Sequence, residues 1–305
     1  MPADTDTITT TDPLATRSAQ AGLPASSAGD VHLSAAQLRF FEVFGFLRLP
    51  GLLRDIMPAI DRAFETLWTQ HGGGHQGMAH AGTQRSCIPC FIEHSEELSS
   101  LLEDPRIHGA ACSLLGENFN YMGSDGNLYV GDTHWHRDGG HRGISHIKIL
   151  VYLDPLTRAQ GALRVIPGTH RIDDRYAQES GEAAMHPETV GMRGAELPDI
   201  ALEVVPGDVL IFNHNLLHAS FGGGTRRRMF TYNLSQRYAP ERLGELAEHL
   251  ASGARFLIPR AFAQRFITTA GALRRRHIEQ PLAHDGLLRE RSAMMRAGGH
   301  APARG

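Results

Sequence analysis

The sequence predicts a mainly β protein with flanking helices, its strands arranged as an antiparallel barrel or double sheet. Three observations carry that expectation. Between residues 127 and 234, short β-type runs follow one another, punctuated by Gly, Pro and Asp. On either side, apolar residues recur at helical spacing. At 305 residues and 41% hydrophobic content, the chain is long enough to bury a core between such layers.

Residues 1–30 are rich in Thr, Ala, Ser, Pro and Asp without periodicity, the composition of a flexible tail. Order is expected from Leu33. Ser34 followed by Gln37 matches a capping box, and Leu38, Phe41 and Phe44 recur on one helix face. Gly45 is placed to end that helix, and Phe46-Leu47-Arg48-Leu49-Pro50 follows as a short strand stopped by proline. A second amphipathic helix is expected over 55–70. Residues 71–84 hold five Gly and three His (His71, His75, His80) and suggest a mobile loop with solvated imidazoles. Cys87-Ile88-Pro89-Cys90 is expected in a loop ahead of a helix; with no second Cys pair, its spacing is incidental rather than that of a zinc site.

Strands are then expected over 127–130, 146–153, 162–166, 200–205, 209–212 and 229–234. The polar stretch 171–198 interrupts them as an insertion with small elements of its own. After Pro240 helix returns, and from Arg255 onward ten Arg face three acidic residues, a basic solvated surface. The expected organisation is a tail over 1–30, a core domain over 31–240 carrying the insertion 171–198, and a basic helical extension over 241–305 packing on that core.

The balance of 30 basic and 33 acidic residues is too near neutrality for a polyanion binder, so no nucleic-acid partner is expected. No run approaches the roughly 18 apolar residues of a membrane span. The first residues lack the basic and apolar regions of a secretory signal, and three Cys make no disulfide framework. The expectation is a soluble, cytoplasmic protein whose partner is a small molecule. One count stands out: the basic residues are 29 Arg and a single Lys, Lys148.

The densest chemistry lies in Asp132-Thr133-His134-Trp135-His136-Arg137-Asp138. On a strand, alternate side chains share a face, so His134, His136 and Asp138 project together and Trp135 turns into the packing on the other side. A His-x-Asp pair offers one imidazole nitrogen and one carboxylate oxygen to a metal. The best candidate for a third ligand is His218, 80 residues beyond Asp138, at the far end of the strand that follows Gly207-Asp208. Two His and one carboxylate leave three coordination positions open, the facial set of non-haem Fe(II) oxygenases. Ser220 and the run Arg226-Arg227-Arg228 follow; an Arg fork suits a dicarboxylate cosubstrate.

At these residues the chain resembles the phytanoyl-CoA dioxygenase family of Fe(II)/2-oxoglutarate oxygenases. The resemblance runs from Leu33 to Leu234. It rests on Gly45-Phe46-Leu47, Leu49-Pro50-Gly51, His136-x-Asp138, Gly161 with Pro167-Gly168-Thr169-His170, Gly207-Asp208 and His218-x-Ser220. It implies a double-stranded β-helix (jelly-roll) core, iron held by His136, Asp138 and His218, and 2-oxoglutarate and O2 as cosubstrates. It implies hydroxylation of a small-molecule C–H bond with release of succinate and CO2, and the same iron centre serves desaturation, epoxidation or cyclisation. The family pattern places the 2-oxoglutarate Arg at Arg227, with Arg228 as the alternative if the strand slips by one residue, and Ser220 on the same carboxylate. Related halogenases replace the carboxylate ligand by a small residue, so Asp138 argues against halogenation. The rival is a cupin-like metal module built from His134, His136, His141 and His218. Otherwise His134, Thr133 and Tyr152 stand as groups beside the iron or against substrate.

Alternation over 146–153 places His146, Lys148, Leu150 and Tyr152 on one face and Ile147, Ile149, Val151 and Leu153 on the other. The aliphatic face suits packing on helices and the polar face the barrel interior, so Lys148 is expected as a co-anchor of 2-oxoglutarate or a contact to a substrate carboxylate. The segments 71–84 and 171–198 are the candidates for lid and substrate selector.

Overall fold

The computed structural model describes residues 31–304; the expected tail 1–30 lies outside the described residues. Helix α1 (Ala35–Phe44) and strand β1 (Phe46–Leu49) open the chain. They are followed by α2 (Met57–Gln70), β2 (Ser86–Pro89), α3 (Glu96–Ser100) and α4 (Pro105–Leu115). Strands β3 (Asn120–Tyr129), β4 (Thr133–His136), β5 (His146–Tyr152) and β6 (Leu163–Val165) come next. Then follow α5 (Arg175–Met185), β7 (Ile200–Leu202), β8 (Val209–Asn213), β9 (His218–Ser220) and β10 (Arg227–Ser235). Helices α6 (Leu243–Ala251), α7 (Gln264–Thr268), α8 (Ala272–Ala283) and α9 (Gly286–Ala297) close it.

The strands form two antiparallel sheets, ordered β1-β8-β5-β10-β3-β2 and β4-β9-β6-β7. Between them lies an apolar layer to which both contribute: Leu150, Tyr152, Leu210, Phe212 and Met229 from the large sheet, Leu163, Val165 and Leu202 from the small one. The core is a jelly roll. The other face of the large sheet carries Ile147, Ile149, Val151, Ile211, Phe230 and Tyr232 into a second core shared with the helices. Helices cover that face because alternation along β5, β8 and β10 makes it largely apolar, while the face between the sheets mixes apolar residues with Lys148, Arg227 and Thr231. The C-terminal segment joins the same core through Leu246, Phe262, Phe266, Ile278 and Leu288.

Local signals are realised at the start of the chain. Ser34 and Gln37 form a reciprocal capping box on α1, and Gly45, in the left-handed region, ends it. Three expectations are corrected. Cys87-Ile88-Pro89 is not loop but the edge strand β2, paired with β3 at Cys87↔Asn127. Strand β3 begins at Asn120, well before residue 127, because Gly123 and Gly126 disguise it; at Gly126 a Cβ would lie 2.2 Å from the Phe91 ring, so close packing demands the glycine. The imidazoles of 71–84 are not all solvated: His75 is buried with Nδ1 3.2 Å from the Cys87 carbonyl, while the half-buried His80 spans the Ser86 hydroxyl and the Thr225 carbonyl.

Candidate active site

Strand β4 meets β9 with His136 opposite His218 and Thr133 opposite Ser220, so pairing of two short strands assembles residues distant in sequence. Asp138 follows directly, its N–H donating to the His214 carbonyl at 2.9 Å. The donor atoms of His136, Asp138 and His218 lie within 4.8 Å of one another. His136 Nε2 is 3.7 Å from Asp138 Oδ1, and His218 Nε2 is 3.7 Å from Asp138 Oδ2. Each imidazole uses Nδ1 on a main-chain carbonyl, His136 on His134 at 2.8 Å and His218 on Leu216 at 2.9 Å. That bond makes Nδ1 the protonated nitrogen and turns the Nε2 lone pair toward the carboxylate. Two imidazoles and a carboxylate, oriented in this way, fit a divalent metal.

The charges agree. Burial works to raise the Asp138 carboxyl, but Lys148 and the neighbouring imidazoles outweigh it and hold it well below the usual carboxylate range. Burial pushes the His218 imidazole down to about 4, leaving it neutral. Lys148 is the partner of Asp138, its Nζ 2.8 Å from Oδ2; burial opposes its charge, yet Asp138 and Asp125 raise it above the ordinary lysine value. Lys148 therefore neutralises the Asp138 carboxylate and lines both the inner compartment and the outer cavity, where the sequence suggested a co-anchor of 2-oxoglutarate or a contact to a substrate carboxylate.

A narrow inner compartment runs from the triad between the sheets, lined by Thr133, Tyr152, Ser220, Arg227, Met229 and Thr231 among others. Arg227 is 5% exposed, donates to the Gly161 carbonyl at 2.7 Å and lies over the Tyr129 ring. Among the described residues no carboxylate pairs with it. The Ser220 hydroxyl is buried without a hydrogen-bond partner. Gly161 is required here: its φ is +84°, and a Cβ would lie 2.0 Å from Arg227 Nη1. Arg228 points the other way. One residue along β10 it joins the helix-facing side, where Asp154 (2.6 Å), Asp61 (2.7 Å) and Glu65 (2.8 Å) consume its guanidinium. Its place as the alternative anchor is withdrawn, since the register turns it outward.

Outside the triad opens a cavity of about 590 Å³, lined by Arg85, Asp125, Tyr129, His134, Arg255 and Phe256 among others. His134 is exposed at its rim. His141 is not grouped with His136 and His218 but with His146 and His214, which removes the cupin-like set. Trp135 turns away, donating to the Gly194 carbonyl at 2.8 Å. Arg137 donates to the Ala177 carbonyl of α5, so the segment 171–198 is tied to the chain directly after His136; the loop 71–84 does not line this cavity. Sequence reasoning missed Asp125 and Arg85. Asp125 sits opposite Thr231, which donates to it at 2.6 Å. An acidic residue between two glycines carries no such signal until the strand pairing is known.

Residues 41–229 match the family described as Phytanoyl-CoA dioxygenase (PhyH). The chain is 27% identical to an ectoine dioxygenase of Halomonas elongata over 222 residues, 63% of this chain and 66% of that one, so it spans just under two thirds of that relative's length. Its fold is similar to the 2-oxoglutarate-dependent carbocyclase SnoK of nogalamycin biosynthesis, at TM-score 0.54 and 20% identity over 68% of this chain and 87% of that one. It is also similar to HygX of Streptomyces hygroscopicus with nickel and 2-oxoglutarate bound, at TM-score 0.51 and 19% identity over 68% and 89% of the two chains.

Proposed function

The chain belongs to the phytanoyl-CoA dioxygenase family of non-haem iron enzymes, and from that premise we propose that it is an Fe(II)- and 2-oxoglutarate-dependent dioxygenase that hydroxylates a C–H bond of a small molecule. His136, Asp138 and His218 would hold the iron through Nε2, a carboxylate oxygen and Nε2. Bound with 2-oxoglutarate and O2, that iron supplies an oxidant strong enough for an unactivated C–H bond, with succinate and CO2 released.

The chain's own residues prepare the reaction. Nδ1 of each ligand imidazole stays protonated on its carbonyl, so neither histidine drifts to a tautomer that turns a proton toward the metal. The buried Arg227 and Ser220 receive the remote carboxylate of 2-oxoglutarate, fixing its reach toward the triad. Apolar neighbours Leu150, Leu163 and Phe212 keep water from that compartment. The outer cavity receives the substrate, and α5 lines a neighbouring pocket that shares His136 and Arg137 with it. The observation that carries this reading is Arg227, a buried cation without a carboxylate partner among the described residues, beside an unpartnered hydroxyl and facing an imidazole–carboxylate triad.

The test is anaerobic titration with Fe(II) and 2-oxoglutarate, followed in the visible charge-transfer absorption of the chelate, then a screen for substrate-dependent succinate release and product mass. The wild type should form the chelate and His136→Ala should not. Chelate formation and turnover surviving intact in His136→Ala would overturn the assignment. A product gaining one oxygen supports hydroxylation; loss of two hydrogens would redirect the reading to desaturation or cyclisation.

A further inference from the structure

A second cluster of imidazoles lies against the first. His141 comes three residues after Asp138, His146 opens β5, and His214 sits in the turn between β8 and β9; their ligand atoms fall within 4.8 Å of one another. His146 and His214 are 1% and 4% exposed. Four of their ring nitrogens are buried with no hydrogen-bond partner: His141 Nε2, His146 Nδ1 and both nitrogens of His214. Buried polar atoms are ordinarily paired, so four orphans converging in one place call for something to bind them. The rings of His141 and His146 stack at 3.6 Å between centroids, and His249 of α6 closes the group, 4.7 Å from His146 and 5.1 Å from His141.

The surroundings fix His146 and His214, while His141, stacked nearly parallel on His146 at 6°, must turn about its side-chain bonds for both lone pairs to meet one ion. His146 Nε2 is 2.7 Å from the Tyr238 hydroxyl, so the outer nitrogen is engaged and Nδ1 faces inward; an outer partner of this kind orients metal-bound histidines. Asn215 brackets the main chain of His141, accepting from its N–H at 2.8 Å and donating to its carbonyl at 2.7 Å. The His214 N–H donates to the His146 carbonyl at 2.9 Å. No carboxylate or thiolate belongs to the group, which selects for a borderline ion that accepts nitrogen donors.

We infer that His141, His146 and His214 form a second metal site, distinct from the His136/Asp138/His218 triad, that binds a zinc-type divalent ion with a fourth position open to water or His249. The site ties together the loop that follows Asp138, the first residue of β5 and the turn that precedes His218. A bound ion there stiffens the segments that carry two of the three triad ligands, and through His249 it docks α6 onto them.

The experiment uses the full chain stripped of metal, dialysed against Zn(II) alone and analysed for bound metal. The wild type should hold two equivalents, and a His136→Ala/His218→Ala double variant one. Adding His214→Gln or, at the half-buried position, His141→Gln should remove that remaining equivalent, with circular dichroism confirming the fold. Co(II) in the double variant should give the intense visible bands of a tetrahedral nitrogen site. Absence of bound Zn(II) in the folded His136→Ala/His218→Ala variant overturns the inference, whatever the wild type holds. So does retention of the remaining equivalent after His141→Gln and His214→Gln, which would place the ion elsewhere. Neither readout depends on turnover, so the oxygenase reading can fail while the second site stands, and the reverse.

Discussion

Lys148, the single lysine of the chain, places its Nζ 2.8 Å from Asp138 Oδ2 and so meets the carboxylate that also faces both triad histidines. The pair answers the problem of a buried carboxylate in the absence of a metal: an unpaired one costs several kcal/mol. A divalent ion held by the triad would share that anion with the ammonium.

Lys148→Met should therefore separate stability from metal affinity. Metal-free protein should lose on the order of 2–3 kcal/mol, below the full range for a broken buried pair because the side chains keep 18% and 17% exposure. Fe(II) should bind several-fold more tightly, since Asp138 no longer divides its charge. Denaturant melts with and without metal, together with Fe(II) titration, check both. Weakened Fe(II) binding would show that Lys148 supports the site rather than competing for it.

Arg227 and Arg228 should behave as different residues despite their adjacency. Arg227→Met should raise the apparent KM for 2-oxoglutarate by about 100-fold or more, the cost of losing a buried charge-assisted pair, with little change in melting temperature. Arg228→Met should lower the melting temperature by breaking contacts to Asp154, Asp61 and Glu65, with KM little changed. Steady-state kinetics and thermal melts on both variants decide it. Equal KM effects would mean that the strand register does not set the anchor.

Gly161→Ala should imitate the loss of Arg227 without touching the arginine. The new methyl group must displace Nη1, which lies 2.0 Å from the ideal Cβ position, and φ of +84° disfavours any side chain. A 2-oxoglutarate KM raised at least 10-fold, with Fe(II) affinity near wild type, is the expected signature.

Acid should destabilise the metal-free protein well above the carboxylate range. Burial pushes His94, His218, His249 and His277 each down to about 4. The unfolded chain protonates these imidazoles near 6.5, before the folded chain does, so stability is full above about pH 6.5 and falls as pH drops toward 4. Melting temperatures between pH 8 and pH 4 test this; a flat profile would contradict it.

Glu93 opposes that trend. It is fully buried, and burial raises its carboxyl to about 7 although the Ser124 hydroxyl donates to it. Here the folded state binds the proton more tightly, so stability is lost as pH rises from about 4.5 through 7. Glu93→Gln should stabilise the protein at pH 8 by on the order of 1–3 kcal/mol and change little at pH 4.5. A loss of stability at pH 8 would show the ionised carboxylate to be needed.

The sequence by itself determined what short-range pattern encodes. The capping box at Ser34, the two-faced strand at 146–153 and the ordered motifs from His136 to Ser220 prefigured the jelly roll, the family and the clustering of His136, Asp138 and His218, because helix and strand periods and residue types are written in neighbouring residues. Tertiary structure alone decided matters of register and distance. A one-residue alternation on β10 separates a buried Arg227 from an outward Arg228, and the charge run there looks the same either way. Antiparallel pairing brings Asp125 to Thr231 and Lys148 beside Asp138, and gathers His141, His146 and His214 from three separate segments. None of those meetings leaves a local trace, since each is fixed by which strand lies next to which.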